Sequence, residues 1–312
     1  MKTALLSLPK GALGGNRTTA LRWAKILREL GWDVVRAAER DIDEAQLIIA
    51  LHAVHTRAEV ERLLERHPQA KLVVACTGTD IYEAHADSQV LLDRADKIIV
   101  LQDRALEELT GAQRERARVI YQSTPPIEVP PPLPTDHLRV ALIANVRAVK
   151  DPLLAARAAR SLPQSSRLQI IHLGAAIDAA LTEEVKRESS ENPRYEWRGH
   201  SSRLEALTLL ASSHAAVLPS VDEGGANLIT EAFATGTAVV ASDARGNVGL
   251  LGEDHPGLFP SGDSEALAAL FTRLETEGGL LETLRDRSRD RAWMSAPALE
   301  RRSWESVLSE LQ

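Results

Sequence analysis

The chain has 312 residues, 44% of them hydrophobic and 26% charged, with a formal net charge of -7 at pH 7. That length exceeds what one hydrophobic core ordinarily serves, so two domains of ordinary size are expected. The acidic balance argues against non-specific nucleic-acid binding, the lack of a run of about 18 apolar residues argues against a membrane partner, and a single cysteine, Cys76, leaves no intramolecular disulfide and no cysteine zinc site.

Short aliphatic runs alternate with amphipathic stretches, the pattern of a parallel α/β sheet. A first strand over residues 3–8 starts almost at Met1, which leaves no room for a signal peptide and points to a reducing cytoplasm. A helix over 18–30 follows, then strands over 33–36, 47–51, 72–75, 97–101 and 118–121. Six prolines between Ser123 and Pro134 cannot sustain regular structure and read as a linker. A second series of strands occupies 138–145, 168–173, 195–198, 215–219, 238–241 and 257–259. The tail over 297–311 reads as a helix with Leu299, Trp304, Val307, Leu308 and Leu311 apolar, packing locally or crossing back onto the first domain. The expected organisation is therefore a first Rossmann-like domain over 1–123, a Pro-rich linker over 124–136, a second Rossmann-like domain over 137–294 and a terminal helix over 295–312.

The most informative segment is Pro219-Ser220-Val221-Asp222-Glu223-Gly224-Gly225-Ala226-Asn227-Leu228-Ile229-Thr230-Glu231. It reads as a strand end, a glycine turn and a helix carrying a second glutamate eight positions after the first. Paired glycines let backbone approach a ligand closely, and the opening N–H groups of a helix suit a phosphate or sugar oxygen. Asn227 and Glu231, four apart, share a helix face, and carboxylates accept hydrogen bonds from sugar and ribose hydroxyls. An ordinary strand-turn-helix connection has the same outline. The next apolar strand, around Val239-Val240, and a helix-ending Gly236 place the motif between two strands of one sheet, where α/β proteins bind ligands.

Two such domains place a catalytic cleft between them, lined by loops at the carboxyl ends of their strands. The first strand is followed by Pro9-Lys10-Gly11-Ala12-Leu13-Gly14-Gly15-Asn16-Arg17, which is neither a dinucleotide fingerprint nor a Walker loop. Gly14 and Gly15 offer backbone N–H groups to a diphosphate. The strand opening the second domain is followed by Asn145-Val146-Arg147-Ala148-Val149-Lys150-Asp151-Pro152, whose Arg147 and Lys150 supply fixed positive charge for a departing nucleotide. His52 follows the third strand and Thr79-Asp80 the next, with His55 a weaker candidate beside them; Asp80 either bonds the sugar or caps the turn after it. Asn247 is a candidate for the base or diphosphate, or a turn residue. The remaining histidines show no metal-ligand spacing and no Asp-x-Asp follows a strand, so neither a metal nor a cofactor is expected.

These residues resemble the metal-independent glycosyltransferases of the GT-B fold, specifically family 4, over both halves of the chain. That resemblance implies that Glu223 and the amides of Gly224, Gly225, Ala226 and Asn227 hold a donor sugar, that Glu231 takes the ribose hydroxyls, and that Arg147, Lys150, Gly14 and Gly15 serve the diphosphate. Two departures stand out: Asp151 occupies a position where glycine is usual, and Gly225-Ala226 stands where a bulky residue and then glycine are commoner. The chain is similar more narrowly to the selenosugar synthases of selenoneine biosynthesis. That likeness is carried by Gly15-Asn16-Arg17, Ala50-Leu51-His52-Ala53, Thr77-Gly78-Thr79-Asp80, the run Val149 through Arg160, Glu223-Gly224-Gly225-Ala226-Asn227 and the run Gly246 through Gly257. It implies selenophosphate attacking a UDP-sugar, UDP-N-acetylglucosamine or UDP-glucose, to give a 1-selenosugar. Catalysis would fall to Lys150, Arg147, Glu223 and His52. The acceptor anion would be met by Asn16, Arg17, Lys10, Thr79 and Asp80, with Arg245 a further cation.

Two other classes remain open on the sequence. A conventional transferase would carry sugar to an alcohol, thiol or lipid, although no basic amphipathic docking helix marks the first domain. A non-catalytic sugar-nucleotide-binding protein is disfavoured by the joint presence of Glu223, Glu231, Arg147 and Lys150.

Overall fold

The computed structural model describes residues 2–9, 11, 14–39, 42–82, 86–125, 127 and 131–311. The chain divides into two compact units. One comprises Met1–Gln122, Glu223–Gly225 and Pro297–Gln312, the other Ser123–Asp222 and Ala226–Ala296.

The first unit runs β1 (Lys2–Ser7), α1 (Gly15–Glu29), β2 (Trp32–Arg36), β3 (Leu47–Leu51), α2 (Arg57–Arg66), β4 (Lys71–Ala75), α3 (Thr79–Tyr82), α4 (Ala86–Arg94), β5 (Lys97–Val100), α5 (Gly111–Arg116) and β6 (Ala117–Val119). Its strands pair in parallel in the order β2-β1-β3-β4-β5-β6. Every residue of β3, Leu-Ile-Ile-Ala-Leu, is buried, as a central parallel strand covered on both faces requires. From β1 the chain steps outward to β2 and then returns to pair β3 on the other side. The strand order therefore reverses between β1 and β3, the position where open α/β sheets accept ligands at the carboxyl ends of their strands. Helix α1 begins at Gly15, earlier than the apolar pattern indicates, because Gly14 takes φ 75° at the N-cap, a left-handed value open to glycine.

The second unit runs β7 (Leu138–Ile143), α6 (Pro152–Arg160), β8 (Leu168–Leu173), α7 (Ala179–Glu191), β9 (Tyr195–Trp197), α8 (Arg203–Ala211), β10 (Ala215–Leu218), α9 (Asn227–Thr235), β11 (Ala238–Ser242), α10 (Arg245–Leu251), β12 (Leu258–Phe259), α11 (Ser264–Thr276) and α12 (Leu280–Asp290). These strands are also parallel, in the order β12-β11-β10-β7-β8-β9. Here the order reverses between β7 and β10. A core of Leu142, Leu154, Ile170, Val217, Val240 and Phe271 fills the space between sheet and helices.

The last helix, α13 (Pro297–Glu310), belongs to the first unit. Trp304, Val307 and Leu308 join the core containing Trp23, Leu27 and Ile120. The Trp23 and Trp304 rings meet edge to face at 4.9 Å, the geometry that puts a positive ring edge against a negative ring face. Glu300, 1% exposed, accepts from Trp23 Nε1 at 2.7 Å and from Arg22 Nε at 2.8 Å. A buried carboxylate held by a guanidinium and an indole N–H is compensated for its loss of water. The described residues of 120–137 contain no helix or strand, as their prolines dictate. Among the described residues no helix is long and apolar enough to cross a membrane.

Candidate functional site

In the second unit the strand-order reversal brings the loop after β7 beside the turn after β10. Val221 donates its N–H to the Val149 carbonyl at 2.9 Å, joining the segment of Arg147 and Lys150 to the one leading into Glu223. The loop after β7 is rigidly built. Asn145 Oδ1 accepts from Ala175 N–H at 3.0 Å, Val146 N–H donates to Ala175 O at 2.9 Å, and Asp178 N–H donates to Val146 O at 3.1 Å. Beneath it lies His172, fully buried, with Nε2 2.8 Å from Ala144 O and Nδ1 2.6 Å from the Tyr195 hydroxyl. The carbonyl can only accept, which puts the proton on Nε2 and makes Nδ1 the acceptor of the Tyr195 O–H. Burial lowers the His172 pKa to about 4. A Cβ on Gly174 would fall 1.7 Å from Ala144 O, so glycine is required for this close approach.

Arg147 is exposed and Lys150 half-buried, on a short 3-10 turn over Ala148–Lys150. Arg147, Ala148, Val149, Ile177 and Asp178 line an open depression on this surface. Asp151 follows with φ 35° and ψ 57°, and Pro152 opens α6 directly after it. The left-handed conformation explains why glycine would suit this position and why aspartate, one of the side chains most tolerant of it, can replace it.

Glu223 and Glu231 are both buried, at 9% and 7% exposure. Gly224 packs so closely on the first unit's own backbone that a Cβ would lie 2.3 Å from Thr77 C and 2.4 Å from Gly78 N, while a Cβ on Gly225 would meet Leu101 Cβ at 2.5 Å. Ala226 is the N-cap of α9 and provides no side-chain cap, and Asn227 is the first helical residue. The same lack of a side-chain cap holds for α1, α2 and α6, which also follow strands flanking a reversal of strand order, and for α10 and α12, which do not. By contrast α7, α8 and α11 are capped by Asp178, Ser202 and Asp263. Uncapped helix starts at strand carboxyl ends leave backbone N–H donors for a ligand.

Glu231 has a partner that motif reading did not identify. Arg203, the first residue of α8, places Nη1 2.8 Å from Glu231 Oε1. Only the two side chains' convergence in space reveals the pair, since 28 positions of chain separate them.

In the first unit Gly14 and Gly15 start α1, with Asn16 half-buried and Arg17 exposed in its first turn. Arg17 borders a mainly apolar cavity between α1 and β1–β2, with Leu6, Ala20, Leu21 and Val34. Lys10 lies outside the described residues. His52 follows β3 directly with φ 88°, a strained value for a side chain of its size. It is 6% exposed; its Nε2 lies 3.2 Å from Thr79 Oγ1, and its Nδ1 accepts from His55 N–H at 3.3 Å. That acceptor role leaves the proton of the neutral ring on Nε2, directed at the Thr79 hydroxyl. The His55 ring stacks on it at 4.0 Å. Asp80 points inward at 1% exposure. Its Oδ1 accepts from the N–H groups of Thr77 and Gly78, both at 2.9 Å, and its Oδ2 from Ala53 N–H at 2.8 Å. Three backbone donors from two loops make Asp80 the tie that holds the ends of β3 and β4 together. Asn247 is fully buried, its Nδ2 donating to Ser242 O at 3.2 Å, so its side chain fastens the β11–α10 turn. Among the described residues there is no cluster of three or more His, Cys, Asp or Glu able to hold a metal ion.

The two parallel six-stranded sheets, each with a reversal of strand order, have the α/β architecture of the GT-B fold. Residues 138–277 match the family model described as glycosyl transferases group 1. Comparison with curated proteins returns no match. Among solved structures, Anabaena Alr3699/HepE in complex with UDP-glucose is 16% identical over 99% of this chain and 100% of that one, with a TM-score of 0.79. A glycosyltransferase from Rickettsia africae is 14% identical over 99% and 98%, at 0.76. Sucrose-phosphate synthase from Thermosynechococcus elongatus is 20% identical over 98% and 96%, at 0.72.

Proposed function

We propose that the protein is a metal-independent glycosyltransferase that forms a selenium–carbon bond, with a UDP-sugar as donor and selenophosphate as acceptor. The observation that carries the transferase reading is the strand-order reversal of the second unit. Within that unit it ties the loop bearing Arg147 and Lys150, through the Val149 carbonyl, to Val221 N–H in the segment after β10, a few residues before the uncapped start of α9. Cations and aligned N–H groups at one locus suit the diphosphate of a nucleotide sugar, and they oppose the charge that develops on the departing UDP. Glu223 is assigned to the sugar hydroxyls and Glu231 to the ribose. The domain read over residues 1–123 serves as acceptor domain and the one read over 137–294 as donor domain.

The selenium assignment is supported by the narrow sequence resemblance carried by His52, Thr79-Asp80, Lys150-Asp151-Pro152 and Glu223-Gly224-Gly225-Ala226-Asn227. The selenium of selenophosphate attacks the anomeric carbon as the carbon–oxygen bond to UDP breaks, giving a sugar selenophosphate and UDP. Water then cleaves the selenium–phosphorus bond, releasing phosphate and leaving the selenol. An already anionic, polarizable nucleophile needs no strong base, which fits a site where His52 directs its ring proton at Thr79. Positive charge must instead offset two facing anions, a task for Arg17 and the N–H groups that open α1 beside Asn16. The enzyme works in a reducing cytoplasm in this reading, where a selenol persists.

The test is mass spectrometry of purified protein incubated with UDP-N-acetylglucosamine or UDP-glucose, with and without selenophosphate and without added metal. UDP release together with a selenium isotope pattern in a sugar product is expected. The similarity to a sucrose-phosphate synthase favours transfer to an oxygen acceptor as the second reading. UDP release with an alcohol or thiol but no selenium product would select it.

A further inference from the structure

The carboxylate assigned to the ribose is held by a cation from a different strand-end loop. Glu231 lies one turn into α9 and its side chain is 9% exposed, while the Arg203 side chain facing it at 2.8 Å is 38% exposed. Arg203 is fixed from below. Ser202 and Glu205 form a reciprocal capping box at the start of α8, so the backbone that bears the guanidinium cannot fray. A second guanidinium nitrogen, Nη2, reaches Thr124 Oγ1 at 3.4 Å.

A carboxylate so far withdrawn from water keeps its charge and orientation only with partners. A carboxylate has about four acceptor positions, so the Arg203 contact at Oε1 is compatible with accepting from other donors as well. A fixed rotamer matters for a ribose, because two neighbouring hydroxyls must both donate to one carboxylate. The planar fork of arginine fixes such an orientation where the rotating ammonium of lysine does not.

We propose that Arg203 is a positioning residue for donor binding, which holds Glu231 turned so that it accepts both ribose hydroxyls of a nucleoside diphosphate. This rests on the assignment of Glu231 to the ribose. Arg203 acts through Glu231, so its contribution disappears when either the carboxylate or a ribose hydroxyl is removed.

The experiment is calorimetric titration of the full chain with UDP and with 2′-deoxy-UDP, for the wild type, Arg203→Gln, Arg203→Lys, Glu231→Ala and the Arg203→Gln/Glu231→Ala double variant. Melting temperatures identify any variant that fails to fold. In the wild type, loss of the 2′ hydroxyl weakens binding roughly tenfold, the scale of one buried hydrogen bond to a charged group. In Arg203→Gln, UDP binding weakens by about the same factor and discrimination against 2′-deoxy-UDP shrinks to about twofold. Arg203→Lys recovers part of that discrimination, and adding Arg203→Gln to Glu231→Ala changes nothing further, the pattern of residues acting as one unit. Equal weakening of UDP and 2′-deoxy-UDP in Arg203→Gln, with discrimination retained, overturns the role of Arg203 while leaving Glu231 at the ribose. Unchanged UDP binding in Glu231→Ala overturns the ribose assignment itself.

Discussion

At the scale of single residues, two backbone positions decide what the site tolerates. Asp151 sits in the left-handed region, a conformation that costs an ordinary L-residue about 1–2 kcal/mol and glycine almost nothing. Its half-exposed neighbour Arg157 reaches its carboxylate at 3.5 Å, a contact worth under about 1 kcal/mol. Asp151→Gly is therefore expected to raise unfolding free energy by about 0.5 kcal/mol, and Asp151→Val, β-branched and without local hydrogen bonding, to lower it by about 2 kcal/mol. Urea titration of both variants checks the order, and a less stable glycine variant would show that the Arg157 contact outweighs the strain. Gly224 is stricter, because an added methyl meets main chain at 2.3 Å and 2.4 Å rather than a movable side chain. In Gly224→Ala the turn has to shift. A displacement of about 1 Å at a reacting site costs on the order of a hundredfold in rate. Steady-state turnover of donor should fall by that order, and near-native turnover would show that the turn does not touch the substrate.

At the scale of elements, two neighbouring helices differ in how they begin. Helix α9 begins at Ala226 with no side-chain cap, whereas α8 has a complete capping box. Ala226→Ser supplies a hydroxyl for one of the open N–H groups and should stabilise the protein by about 1 kcal/mol. The same hydroxyl competes with the donor's phosphate oxygens, so UDP should bind several-fold more weakly while the melting temperature rises. A rise in stability with no change in UDP affinity would separate this helix end from the ligand. The sequence revealed this architecture readily, because each buried parallel strand is a near-continuous apolar run such as Leu47–Leu51, and all twelve expected strands occur in the two sheets. The glycine turn and Lys150 were legible for a similar reason, since their spacing along the chain is local. Arg203 was not, because its contact with Glu231 arises only when α8 and α9 pack side by side. Nor was the inward turn of Asp80, since a motif places a carboxylate near a strand end without fixing which way its side chain points.

At the scale of the whole molecule, the last helix and the buried histidines set how stability responds to truncation and to acid. Trp304 is fully buried against Trp23, and Trp304→Ala should cost the first unit about 3–5 kcal/mol through lost burial and a cavity. The pH response belongs mainly to the second unit. His172 and His255 are both buried, and burial lowers each pKa to about 4, with Arg291 and Arg287 adding to the effect at His255. Above pH 6.5, the ordinary value, both rings are neutral folded or unfolded and contribute no pH dependence. Between pH 6.5 and 4 the unfolded chain binds protons that the folded chain refuses, so the unfolding free energy falls as the pH drops. The fall ends near pH 4, where the folded rings also protonate. Each ring contributes on the order of 3 kcal/mol across that window, from 2.5 units at about 1.4 kcal/mol each. Hydrogen exchange at the amides of β7 and β8, which reports opening of this sheet, should show protection declining from pH 6.5 to 4 after correction for intrinsic rates. His172→Gln retains a donor for the Ala144 carbonyl but carries no titrating ring, so it should roughly halve that decline. An unchanged slope in His172→Gln would transfer the acid sensitivity to other groups and leave His172 solely as the support beneath the Arg147 loop.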